Sequence, residues 1–213
     1  MRILAPALLL LAAPALATTV IDPAGDILSS YTGPPRASLD VLVAQAHYLP
    51  NTLRLSARVA GGIPDDVDQL YVWGVNRGAG TPRLTGGTPP LGAGVNFDAV
   101  VVVRGNGTGS VVTFGAGAPV NNPLPPEFIT VSGSGVRVFV PFNLLPSTGF
   151  DIADYGYNLW PRYLSGSNTQ IADFAPDDST FTASAIPEPA SWALMIAGFG
   201  LVGGTLRRRR LAA

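Results

Sequence analysis

The sequence predicts an all-β protein, an antiparallel β-sandwich of jelly-roll or immunoglobulin-like type with about eight strands. Three observations predict it. Short runs rich in valine, leucine and aromatic residues recur through the middle of the chain. Gly-, Pro- and Asn-containing turns separate them. No stretch between the two ends keeps the apolar period of a long helix.

Each strand has its own justification. In "TLRLSARVA" (52–60), Leu53, Leu55, Ala57 and Val59 alternate with Arg54, Ser56 and Arg58, which makes a half-buried strand. The preceding "LDVLVAQAHYLPN" reads as its hairpin partner, with Pro50 and Asn51 in the turn. "QLYVWGVN" (69–76), "FDAVVVVR" (97–104), "SVVTF" (110–114), "FITVS" (128–132), "VRVFVP" (136–141) and "YGYNLWPR" (155–162) complete the set. Arg104-Gly105-Asn106-Gly107 and Ser132-Gly133-Ser134-Gly135 carry hairpin-turn chemistry. The Gly- and Pro-rich stretches 77–96 and 115–127 are expected to be long surface loops.

The two ends differ from this body. Residues 1–17 have the parts of a secretory signal peptide in order: Met1-Arg2, an apolar run, and the small-x-small cleavage site Ala15-Leu16-Ala17. A β-sandwich ectodomain is expected over 18–175 and an acidic, Ser/Thr-rich linker over 176–186. Residues 190–206 are uncharged and mostly apolar; as a helix they would rise roughly 25 Å, the short end of what crosses a bilayer core. Trp192 suits the headgroup level, and Arg207, Arg208, Arg209 and Arg210 would stay on the cytoplasmic side.

Pro187-Glu188-Pro189, followed by Trp192-Ala193, the apolar helix and the arginine cluster, resembles the PEP-CTERM sorting signal over 187–213. The resemblance implies a substrate of an exosortase-type sorting enzyme. It also implies that the tail holds the exported chain at the inner membrane until processing, after which the protein would reach the cell surface or the extracellular polysaccharide matrix. Such tails also occur on some ice-binding proteins, but no repeated Thr-x-Thr ladder is present here. The body is similar to the DOMON and family-nine carbohydrate-binding sandwiches. The likeness rests on Asp22-Pro23-Ala24-Gly25-Asp26, "YVWGVN", "YNLWPR" and "IADFAPDD", and it implies a binding role.

Composition narrows the chemistry. There is no cysteine, so neither a disulfide nor a thiol site exists. All 13 basic residues are arginine, and within 18–185 eight arginines face thirteen acids, a net charge of −5. That balance excludes a nucleic-acid partner. The single histidine, His47, lies in a strand pattern and supplies neither a Ser–His pair nor a zinc cluster. Asp65, Asp66 and Asp68 are neighbours in a Pro-containing loop, where solvated charge is the ordinary state. The inventory predicts a non-catalytic protein.

Two candidate binding features remain. Asp22 and Asp26 near the first strand, with Asp173, Asp177 and Asp178 near the last, would converge if the terminal strands pair; their oxygens suit calcium. The same aspartates also serve as turn formers. Trp73, Trp160 and Tyr163, with Tyr155 and Tyr157, make either a stacking platform for sugars or the sandwich core. Extracellular polysaccharide is therefore the alternative partner, through a carbohydrate-binding or sugar-active ectodomain.

Overall fold

The computed structural model describes residues 18–185, together with the isolated positions 196, 198 and 199. The expected signal peptide with Ala15 and Ala17, the motif Pro187, Glu188, Pro189, Trp192 and Ala193, and the cluster Arg207–Arg210 lie outside the described residues. So does most of the apolar segment 190–206. Among the described residues no helix is long and apolar enough to cross a membrane.

Residues 18–185 belong to one compact unit built of two six-stranded sheets. The first contains β1 (Thr19–Ile21), β2 (Val41–Leu49), β3 (Thr52–Val59), β9 (Gly135–Pro141) and β8 (Ile129–Ser132), in that order. A short β12 (Ser184–Ala185) pairs in parallel with β2 at His47 and Tyr48. The second runs β11 (Phe181–Thr182), β10 (Gly156–Tyr163), β4 (Gln69–Asn76), β5 (Ala99–Arg104), β6 (Gly109–Thr113) and β7 (Val120–Pro123). All neighbours except β12 and β2 are antiparallel.

All eight expected strands are present, and their turns fall where the glycines and asparagines stand. Asn51, with φ at 62°, closes the β2–β3 hairpin, and Gly133, at 57°, the β8–β9 hairpin. Four further strands raise the number to twelve among the described residues. β7 lies within the expected loop 115–127. β11 and β12 lie within the stretch 176–186, so a linker does not describe it: Phe181 and Ala183 are buried in the core.

One core fills the space between the sheets. Leu53, Leu55, Ala57 and Val59 of β3, with Val136, Val138 and Val140 of β9 beside them, share this core with Tyr71, Trp73 and Val75 of β4 and the alternate residues of β5 and β10. Burying each leucine or valine side chain there stabilises the fold by roughly 1.5–3 kcal/mol. The outer faces differ. On the first sheet, Arg54, Ser56 and Arg58 of β3 and Arg137 of β9 stand outside the core, as period-two alternation requires.

The second sheet is covered on both sides. Leu70 and Val72 of β4, Val100 of β5 and Trp160 of β10 form a second apolar cluster with Val95, Phe97, Ile171 and Phe174. The cover comes from the stretches 77–98 and 164–178 and from Leu28. This explains why β4 is apolar on both faces. The stretch 77–96 is a covering layer as well as a surface loop. Gly74 belongs to the same packing: a Cβ there would lie 2.5 Å from the Trp160 ring.

Candidate functional site

The terminal aspartates meet at one end of this architecture. The chain leaves β1 at Ile21 and turns through Gly25, whose φ of 86° suits glycine. Asp22 stays on the first sheet through its N–H, which donates to Leu42 at 3.1 Å. The Gly25 N–H donates to Asp40 Oδ2 at 2.8 Å, and the Leu28 N–H to the Ala172 carbonyl at 2.8 Å. The segment 171–175 runs beside β10 through bridges Arg162–Ile171 and Leu159–Ala175. Its Asp173 reaches across to the first sheet and accepts from the Val41 N–H at 2.8 Å, while Phe174 N–H donates to its other oxygen at 2.7 Å.

Asp22, Asp26 and Asp173 each offer a carboxylate oxygen within 4.8 Å of the other two. Asp173 is 1% exposed and Asp22 8%, while Asp26 is half-buried. Asp22 Oδ2, Asp26 Oδ1 and Asp40 Oδ1 are buried with no hydrogen-bond partner. Burial first, then repulsion from Asp26, Asp177 and Asp40, pushes the Asp22 carboxyl up to about 7. Burial pushes Asp173 up to about 8, against the lowering effect of the Val41 N–H and with further repulsion from Asp22 and Asp26. Carboxylates held this way are stabilised by taking a proton or a cation.

The sequence therefore brings together three of the five expected aspartates. Asp177 lies near enough for its charge to act on Asp22. Asp178 is engaged elsewhere, accepting from the Gly94 N–H at 2.7 Å. The expected route to this convergence is corrected in one detail. The strands expected first and last, β2 and β10, lie in different sheets and do not pair; the Val41 N–H to Asp173 bond spans them instead. Asp40 is the member that sequence reading missed, because it merged into the apolar run that follows it.

The aromatic platform is not built. Trp73 is wholly buried in the central core, and Trp160 is 2% exposed among Phe97 and Phe174, with ring centroids 5.0 and 6.2 Å away. Neither offers a face to a sugar. Tyr155 and Tyr157 are core residues too, and Tyr163 lies under the Arg36 guanidinium at 4.8 Å. Of the loop carboxylates, Asp66 pairs with Arg36 at 2.6 Å and accepts from the Asp68 N–H. His47 is buried, with Nδ1 3.1 Å from the Arg54 guanidinium. Burial and that arginine hold its pKa below the usual value.

The outer face of the first sheet carries a shallow groove of about 360 Å³, lined by Gln45, Ser56, Arg58, Thr130 and Arg137 among others. The ion pairs among the described residues involve Arg36 and Arg77, not these arginines.

The family model described as the PEP-CTERM protein-sorting motif matches residues 185–210. The chain thus carries the signal for exosortase-dependent export and sorting to the cell envelope. No curated protein and no solved structure matches it.

Proposed function

We propose that this is a non-catalytic envelope protein whose sandwich is exported by residues 1–17 and held at the inner membrane by 190–206. Processing at the tail then releases it to the cell surface or matrix. The sorting match over 185–210 carries the reading. It is supported by the order of parts behind it. Pro187 and Pro189 disfavour regular helix and keep the backbone extended around Glu188. An arginine at mid-membrane costs roughly 2.5 to 3.5 kcal/mol, so Arg207–Arg210 would stop translocation.

The test is fractionation of cells that carry an epitope in the exposed loop 115–118. Glu188→Ala should insert normally but accumulate unprocessed in the inner membrane. Replacing Arg207–Arg210 with serine should weaken retention there. A Glu188→Ala protein that reaches the surface like wild type overturns sorting and leaves a plain anchor.

A second reading concerns what the sandwich holds once outside. The groove with Arg58 and Arg137 favours an acidic polysaccharide, because these guanidinium groups face solvent without carboxylate partners among the described residues. Retention on a polyuronate resin, lost in Arg58→Ser/Arg137→Ser and absent on a neutral glucan, is the expected result. Equal retention on both resins rejects it.

A further inference from the structure

We infer that Asp22, Asp26 and Asp173 form a calcium site that ties the start of the sandwich to the segment following β10. The geometry comes first. Oxygens that share one Ca²⁺ at 2.3–2.6 Å stand no more than about 5 Å apart, and these three meet that limit at 4.8 Å. The burial is the independent observation. Asp22 is more than nine-tenths buried, and its Oδ2 accepts no hydrogen bond. A buried carboxylate without a partner is costly unless something charged completes it.

Among the described residues no arginine does so: those in ion pairs are Arg36 with Asp66 and Arg77 with Asp98, neither in this cluster. The unpaired Oδ1 atoms of Asp26 and Asp40 add to the same deficit. Every side chain identified here offers oxygen, with no imidazole and no thiolate, so the donor set selects a hard cation over zinc. The ligands come from the irregular loop around Gly25 and from the separate strip that carries Asp173, not from one regular element. Ca²⁺ accepts that, whereas Mg²⁺ demands a near-ideal octahedron.

The ion would reinforce a junction that the Leu28–Ala172 and Val41–Asp173 hydrogen bonds already make. Asp22 and Asp26 belong to the loop after β1, and Asp173 to the strip beside β10 in the other sheet. With no cysteine in the chain, the ion takes the place a disulfide would have in tying one sheet to the other.

The experiment uses the full-length chain purified in detergent and stripped with EDTA. Calorimetric titration with CaCl₂ should show one site per chain. Calcium a hundredfold above the Kd should raise the Tm by roughly 5 to 10 °C. Asp22→Asn/Asp26→Asn should lose both signals. Asp26→Asn alone, at a half-exposed position, keeps the test valid if the double variant fails to fold, and it should weaken binding at least tenfold. Absence of binding heat and of a Tm shift in wild type overturns the site. An unchanged shift in Asp26→Asn overturns the assigned ligands, and an equal response to MgCl₂ overturns the choice of calcium.

Discussion

At the scale of single residues the most exacting contact is the pair Arg77–Asp98. The guanidinium Nε donates to Asp98 Oδ1 at 3.1 Å, and both side chains are almost fully buried. Arg77 also donates to the carbonyls of Pro146 and Asp98, and Thr148 donates to the other carboxylate oxygen. Burial alone would raise the Asp98 pKa. The hydrogen bonds from Thr148 and from the Arg77 backbone and side chain outweigh it and hold the carboxyl below its usual value. The folded pKa is therefore lower than the unfolded one. The resulting stabilisation is complete above about pH 4 and is lost as pH falls through the folded value. Arg77→Ala should cost about 3 to 5 kcal/mol in urea denaturation, because Asp98 stays buried and unpaired. Asp98→Asn should flatten the acid limb of the stability profile. None of this was legible beforehand. Arg77 and Asp98 lie 21 positions apart at opposite ends of a loop, and only the register of β4 on β5 brings them together. The aspartate cluster was partly legible, since its spacing to each terminal strand can be read, whereas Asp40 carries no spacing signal.

At the scale of elements, legibility followed strand length. The eight strands that were expected run from four to nine residues, and each has an apolar run or clean alternation. β1, β7, β11 and β12 have two to four residues. In "VNNP" of β7 every residue is exposed or half-buried, so no periodicity marks it. These short strands exist because a longer neighbour offers them an edge. β11 nevertheless contributes to the core through Phe181, whose ring lies 6.0 Å from that of Tyr157. Phe181→Ala should destabilise the sandwich by about 3 kcal/mol in thermal or urea unfolding. Thr182→Ala, on the exposed side of the same strand, should change it by less than about 0.5 kcal/mol. Equal effects would place residue 181 outside the core. The tryptophans teach the converse lesson. Apolar residues on both faces of β4 and β10 signal a sheet covered twice, and local pattern does not show which loops provide the cover.

At the scale of the whole molecule, residues 18–185 should fold when expressed without either end. The circular dichroism should be that of a β-sheet protein, and sedimentation should show a monomer. The support is the closed compact unit ending at Ala185. A helical spectrum, or insolubility without detergent, would contradict it. The fold class was legible because alternation and turn chemistry agree along most of the body, and the tail because its parts stand in a fixed order. The ligand of the body was not legible. Recognition depends on which side chains share a surface after folding, and burial of Trp73 and Trp160 removed the surface that the sequence suggested.

Part of the β2 edge is completed by β12, and this has a consequence for timing. Synthesis delivers β2 early and β12 last, so the backbone of His47 and Tyr48 waits for its partner until the body is finished. The outer face of β4 waits likewise for Ile171 and Phe174. Such long-range closure is slow, typically milliseconds to seconds in β proteins. Ala185 is both the last residue of β12 and within the first positions of the matched sorting segment. A chain that stops short of this point lacks the address and leaves its first sheet open, so an unfinished product is also one that sorting does not select.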